Sequence, residues 1–341
     1  MNNGIKGALS GPEIWTGAQL ADRHDWIESL EPQDIAEIDA MLGAVQREGA
    51  EAGDFTADDF FLPRLKKRFE AVQRQLEDGR GFLLIRGLPV ERYSLQENRI
   101  IFWALALLAG QPQAQDRLGS RMHSVTNTNL RVEGSDEVRS YQTDDELTFH
   151  NDGGDAFMLL CLKTAQSGGM SKLVSVGTIY NEVLQRRPDL IDVLQQPFHF
   201  DARGQHPSGL KVQSAPIFNF FQGKLSALYK RRYLLAAQRF DDVPRLSQAQ
   251  QQAIDLVEQI CNDPTIQLGF YMKPGDIQIA NNYSVLHART KYEDFSDPQA
   301  RRHLLRIWLT LPNGRALPPV FAQTREFGTS YQSRHASAAQ T

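Results

Sequence analysis

The chain has 341 residues, 41% of them hydrophobic and 23% charged. This ordinary globular composition excludes collagen, coiled-coil, disordered and membrane-spanning classes. Lys plus Arg number 37 against 41 Asp plus Glu, a formal charge of −4, so no basic excess is present to bind nucleic acid. The longest apolar run, Ile100 to Ala109, is about half a membrane span, and no charged-then-apolar leader precedes Pro12. Two cysteines, Cys161 and Cys261, are too few for a disulfide scaffold. The expectation is a cytoplasmic protein with reduced, buried thiols, with neither nucleic acid nor membrane as partner. A homo-oligomer is left open.

Residues 1–60 are polar and irregular except for a helix from Pro32 to about Arg47, marked by Ile35, Ile38, Leu42 and Val45. Leu62, Leu65, Phe69, Val72 and Leu76 predict a second helix, with Gly79 placed to cap it. Gly81 to Gly87 reads as a buried strand between glycines. Ser94 and Glu97 form a capping-box pair opening an apolar helix to Gly110. Strands dominate from about residue 140: Ala156–Leu162, Lys172–Val176, Phe198–Arg203, Ile217–Phe221, Ile266–Met272, Ile277–Asn281, Ser284–Thr290 and His303–Leu311. Helices over Ile179–Gln195, broken at Pro188, and Ser247–Asn262 interrupt them. Pro274-Gly275-Asp276 is a turn feeding the next strand. Short strands without a βαβ rhythm predict a closed or two-sheet β architecture. The Ala/Gln/Ser-rich tail from Ser330 to Thr341 is expected to be frayed.

His-x-Asp occurs twice, at His150/Asp152 and at His199/Asp201, and at this composition one copy arises by chance. On a strand, residues i and i+2 share a face, so either pair could grip one ion. A distant third ligand would complete the two-histidine, one-carboxylate facial triad of non-haem Fe(II) oxygenases. His150 and Asp152 precede Gly153-Gly154 and a strand, a rim position open to substrate, whereas phenylalanines flank His199. His287 follows the Pro274 turn-strand unit and is the candidate third ligand. Downstream, Arg302, Leu304 and Arg306 alternate onto one face; a buried arginine is costly unless it meets an anion, ideally a carboxylate held by both guanidinium arms. Phe218 to Phe221 and Tyr229 read as core, with a pocket lining as the alternative, and Asp144, Asp145 and Glu146 as an acidic loop, with a lid as the alternative.

Taken in order, Phe149-His150-Asn151-Asp152, Gly168-Gly169-Met170-Ser171, Pro274-Gly275-Asp276, Leu286-His287 and Arg302-His303-Leu304-Leu305-Arg306 resemble the taurine dioxygenase and clavaminate synthase-like family of Fe(II)/2-oxoglutarate-dependent oxygenases. The resemblance covers roughly residues 80–325 and leaves His199 and Asp201 without a place. It implies a mainly β fold with α, a double-stranded β-helix (jelly-roll) core with flanking helices. It also implies that His150, Asp152 and His287 are the catalytic Fe(II) ligands and that Arg302 holds the distal carboxylate of the co-substrate 2-oxoglutarate. Ser171 stands where the family often has a threonine binding the same carboxylate, and Arg306 matches an arginine that supports co-substrate or binds a substrate anion. Because Asp152 is present, hydroxylation is expected rather than the halogenation of relatives that lack the carboxylate.

The expectation is one domain, with a helix-rich wrap over residues 1–110 and a jelly-roll core over 140–325 that carries an insert at about 203–265. The expected activity couples O2 and 2-oxoglutarate to oxidation of an unactivated C–H bond in a small metabolite, releasing succinate and CO2. Desaturation or cyclisation would use the same residues. A non-catalytic metal-binding jelly roll or a zinc hydrolase would share the triad but leave Arg302 and Ser171 without a task.

Overall fold

The computed structural model describes residues 7–45, 50–128, 142–206 and 208–338. Two facing sheets form its centre. The larger runs, in spatial order, Ile27–Ser29, Phe82–Arg86, Ile277–Asn281, Ala156–Lys163, His303–Thr310 and Gln111–Gln113, with Met122–Val125 also paired to His303–Thr310. The smaller runs Leu268–Phe270, Ser171–Ser175, Val285–Arg289 and Leu147–His150. This is the jelly-roll core that the resemblance implies.

Alternation along each strand sorts the side chains. On the larger sheet, Phe82, Leu84, Phe157, Cys161, Ala280, Leu304 and Trp308 face inward, where they meet Leu173, Val285 and Leu268 of the smaller sheet. Their neighbours Leu83, Ile85, Met158, Leu160, Ile277, Ile279, Leu305 and Ile307 face outward and are covered by helices Pro63–Glu77 and Leu95–Ala109. Both faces are therefore buried, which is why these strands read as continuous apolar runs. The outer face of the smaller sheet, including Val174, Leu286 and Ala288, is covered by helices Val176–Arg186, Asp189–Leu194 and Gln248–Cys261. That packing leaves the inner residues of Val285–Arg289 pointing into the sandwich.

Local signals explain the element ends. Ser94 Oγ accepts from the Glu97 amide and the Glu97 carboxylate accepts from the Ser94 amide, at 3.2 and 2.7 Å. Three expectations need correcting. The second helix ends at Glu77, and Gly81 rather than Gly79 closes it: Gly81, at φ +84°, donates to the Gln75 carbonyl. The strand expected from Ile266 begins at Leu268, because the carbonyls of Thr265 and Ile266 accept from the amides of Ala18 and Gly17 instead. The tail is not frayed from Ser330: a helix runs Gly328–Ala338, the Ser330 hydroxyl is buried against Gln113, and Arg334 pairs with buried Asp155 at 2.5 Å. Among the described residues no helix is long and apolar enough to cross a membrane.

Candidate active site

Strand Leu147–His150 pairs with Val285–Arg289 so that His150 lies directly opposite His287. The two imidazole centroids are 4.2 Å apart. Asp152 follows in the turn leaving the strand, its Oδ2 3.8 Å from His287 Nε2. One donor atom from each of His150, Asp152 and His287 falls within 4.8 Å of the others, the only such cluster of metal-ligating side chains among the described residues.

The turn carrying Asp152 is clasped from two sides. Asn151 accepts from the Tyr229 amide at 2.6 Å and donates to the Asn282 carbonyl. Asn282 accepts from the Asp152 amide at 3.1 Å and donates to the Gly153 carbonyl at 2.8 Å. Gly153 packs against the ring of Trp308, where a Cβ would come within 2.5 Å of ring carbons, and Gly154 takes φ +74°.

The protonation states suit a cation. His150 Nδ1 contacts the Thr148 carbonyl at 2.8 Å, an arrangement that keeps the proton on Nδ1 and leaves Nε2 to bind metal. Burial pushes His150 down to about 4, and burial followed by the charge of His150 holds His287 well below the ordinary histidine range. Burial alone would raise Asp152; Arg306, then His287 and His150, outweigh it and hold the carboxyl well below the usual range. Two neutral imidazoles and one carboxylate are the donor set that Fe(II) takes in facial-triad oxygenases. The residues present fit the metal.

Two spaces matter here, and only the larger is lined by triad residues. A cavity of about 380 Å³ opens over His150 and Asp152, walled by Glu146, Lys230, Tyr233, Arg306, Trp308 and Arg325. A smaller cleft brings together Gly169, Ser171, Met272, Arg302 and Leu304. Arg302 is buried, with Nη1 unpartnered among the described residues. Arg306 lies in the larger space: Nη1 is 3.2 Å from both oxygens of Asp152, and Nε donates to Gln115 Oε1 at 2.8 Å. The structure thus separates Arg306 from the Arg302–Ser171 cleft.

The second His-x-Asp lies elsewhere, on hairpin strand Pro197–Asp201, with His199 against the Ser214 hydroxyl at 2.6 Å and Asp201 paired with Arg239 at 3.1 Å. Phe218 and Tyr229 belong to the core, while Glu146 of the acidic loop reaches the larger cavity.

Sequence reasoning missed Gln115, Lys230, Asn282, Arg289, Trp308 and Arg325. Two of these carry a signal: Arg289 stands two residues after His287 and Trp308 two after Arg306, so each shares its neighbour's face. Lys230 pairs through its backbone with His150 and through Nζ with buried Glu326 at 2.8 Å; nothing local marks it.

Comparison with known proteins places the chain in a family. The chain is 30% identical over 324 residues to FR-33289 synthase of Streptomyces rubellomurinus, covering 94% of this chain and 96% of the relative. It is 31% identical over 316 residues to the taurine hydroxylase-like protein SAT17 of Stachybotrys chartarum, covering 89% and 80%. An asparagine oxygenase solved with Fe(II), 2S,3S-3-hydroxyasparagine and succinate superposes with a TM-score of 0.64 at 19% identity, covering 84% of this chain and 93% of that one. The model of the taurine catabolism dioxygenase TauD, TfdA family matches residues 46–308. By that match across most of its length the chain belongs to this family, and it is an Fe(II)- and 2-oxoglutarate-dependent dioxygenase.

Proposed function

We propose that His150, Asp152 and His287 hold the Fe(II), that Arg302 and Ser171 bind the distal carboxylate of 2-oxoglutarate, and that the cavity over the triad receives a small polar metabolite for C–H hydroxylation. The observation that carries this reading is a two-histidine, one-carboxylate set within 4.8 Å, two of whose members, His150 and Asp152, line a cavity of about 380 Å³. Bound there, Fe(II) would supply dioxygen activation coupled to decarboxylation of 2-oxoglutarate to succinate and CO2.

The chain's own residues bind, orient and exclude water. Asn151 and Asn282 fix the direction of Asp152. Arg306 keeps that carboxylate ionised and turned toward the histidines rather than binding co-substrate. Lys230, Arg306 and Arg325 give the cavity wall a cationic side and Glu146 an acidic rim, which suits a small molecule with at least one anionic group, such as an amino acid or a related biosynthetic intermediate. The asparagine oxygenase, solved with a hydroxylated amino acid and succinate, supports both the substrate size and the outcome. Two buried free thiols, Cys161 and Cys261, accord with the reducing cytoplasm.

The test is anaerobic addition of Fe(II) and then 2-oxoglutarate, recording visible charge-transfer absorption. A band that requires both additions, is lost in Asp152→Ala and weakens in Arg302→Gln is expected. Its absence from folded, iron-loaded protein would refute the assignment.

A further inference from the structure

The buried cations beside the co-substrate cleft are more numerous than the family motif requires. Arg289 shares the inner face of strand Val285–Arg289 with His287, and its partner across the sheet is Ser171. Its guanidinium lies 4.5 Å from the centroid of the Tyr292 ring, and that of Arg302 lies 5.1 Å from the same centroid. Arg289, Tyr292 and Arg302 are all buried. Arg289 Nε, Arg302 Nη1 and Tyr292 Oη each lack a hydrogen-bond partner among the described residues.

The remaining bonds of Arg289 run to backbone. Nη2 donates to the Thr143 carbonyl at 3.1 Å and to the Asp145 carbonyl. The nearby Asp294 accepts from the Arg302 amide at 2.8 Å and does not reach either guanidinium. Two guanidiniums against one tyrosine, without a carboxylate in ion-pair contact among the described residues, are costly as a purely structural feature. Three unmet donors set around one buried tyrosine ring are what a bound carboxylate would satisfy, since its two oxygens accept about four hydrogen bonds.

We propose that Arg289 is a second anchor for the distal carboxylate of 2-oxoglutarate, which is held between Arg289 and Arg302 with the Tyr292 hydroxyl as an additional donor. This rests on the reading of the Arg302–Ser171 cleft as the co-substrate site. It assigns a task to a residue two positions from an iron ligand that neither triad nor cleft otherwise employs. It also ties the co-substrate to the substrate cavity: the carbonyls gripped by Arg289, and the Asp144 carbonyl that accepts from the Tyr292 amide at 3.1 Å, belong to the loop leading to Glu146 on the cavity rim.

The experiment is calorimetric titration of anaerobic, Fe(II)-loaded protein with 2-oxoglutarate and, separately, with pyruvate, which keeps the chelating keto acid but lacks the distal carboxylate. Arg289→Gln should weaken 2-oxoglutarate about tenfold or more, leave pyruvate within about twofold, and regain part of the loss as Arg289→Lys. Equal weakening of both ligands would mean that Arg289 merely props the strand, and no weakening of either would make it a bystander; both results overturn the proposal. Should Arg289→Gln fail to fold, Tyr292→Phe decides: a loss of about threefold for 2-oxoglutarate alone supports the proposal, and an unchanged ratio of the two affinities overturns it. Arg302→Gln, measured in parallel, separates the two levels. If it leaves 2-oxoglutarate affinity intact, the cleft itself has been misassigned; if it alone weakens that affinity, only the role of Arg289 falls.

Discussion

Arg306 reaches across the sandwich to Asp152, placing Nη1 3.2 Å from both carboxylate oxygens, and both residues are buried. The guanidinium therefore supplies the countercharge that a divalent cation would also supply. Removing one partner of such a pair costs about 3–5 kcal/mol, so Arg306→Met should markedly destabilise the metal-free protein. Iron should repair part of that loss. Because Arg306 and Fe(II) repel each other, the thermal shift produced by anaerobic Fe(II) should be larger in Arg306→Met than in the wild type. An equal or smaller shift would contradict the electrostatic coupling.

Asn282 holds the Asp152 turn through its side chain, accepting from the Asp152 amide and donating to the Gly153 carbonyl. Asn282→Ala would leave those buried groups unmatched, at a cost of about 3 kcal/mol. Fe(II) affinity should fall with stability, because the direction of Asp152 is no longer fixed. Retained metal affinity in a destabilised variant would limit Asn282 to a folding role.

These two residues show what could be seen before folding and what could not. His150, Asp152, His287 and Arg302 are proposed from their resemblance to the family's ordered motifs; strand alternation does not account for Asp152, which lies in the turn after strand Leu147–His150. The choice between the two His-x-Asp pairs is a matter of register: His150 lies opposite His287, whereas His199 lies opposite Ser214. Gln115 and Asn282 act through long-range packing, 191 and 130 residues away from Arg306 and Asp152 respectively, and no local pattern announces them. The jelly roll was equally hard to read from pattern alone. Strands buried on both faces lose their period-2 signature, so Ala156–Lys163 and Ile277–Asn281 show only as apolar runs. The tail misled for a related reason: its polar, small residues lack an apolar face, yet Arg334 pins the helix by pairing with buried Asp155.

Glu326 should govern part of the acid sensitivity. Burial would raise its pKa, but Lys230 and then Arg325 outweigh it and hold the carboxyl down at about 2, against an ordinary value of 4.5. A carboxyl depressed in the folded state contributes stability that is complete above its unfolded pKa and is lost as pH falls through the folded one. The window therefore runs from about 4.5 down to about 2, and the contribution is of order 3 kcal/mol. Denaturant titrations should show wild type more stable than Glu326→Gln at pH 7, with the gap narrowing as pH falls through that window. A pH-independent gap would show that Lys230 does not stabilise the charged form.

Gly153 owes its identity to a ring rather than to backbone strain. Its φ is not positive, but a Cβ would lie 2.5 Å from carbons of Trp308, whose ring is also flanked by Arg306 at 5.1 Å and Arg325 at 5.8 Å. With cations against the indole, the ring cannot move aside freely, so in Gly153→Ala the turn has to give way. The expected cost is about 1–3 kcal/mol for overpacking, together with weaker Fe(II) binding as Asp152 shifts. Trp308→Ala removes the obstacle. In a double-mutant cycle, Gly153→Ala should therefore be much less costly in the Trp308→Ala background than in the wild type. Additive losses would show that the methyl acts on the backbone of the turn and not on the indole, and would move the origin of Asp152 placement from Trp308 to the asparagine clasp alone.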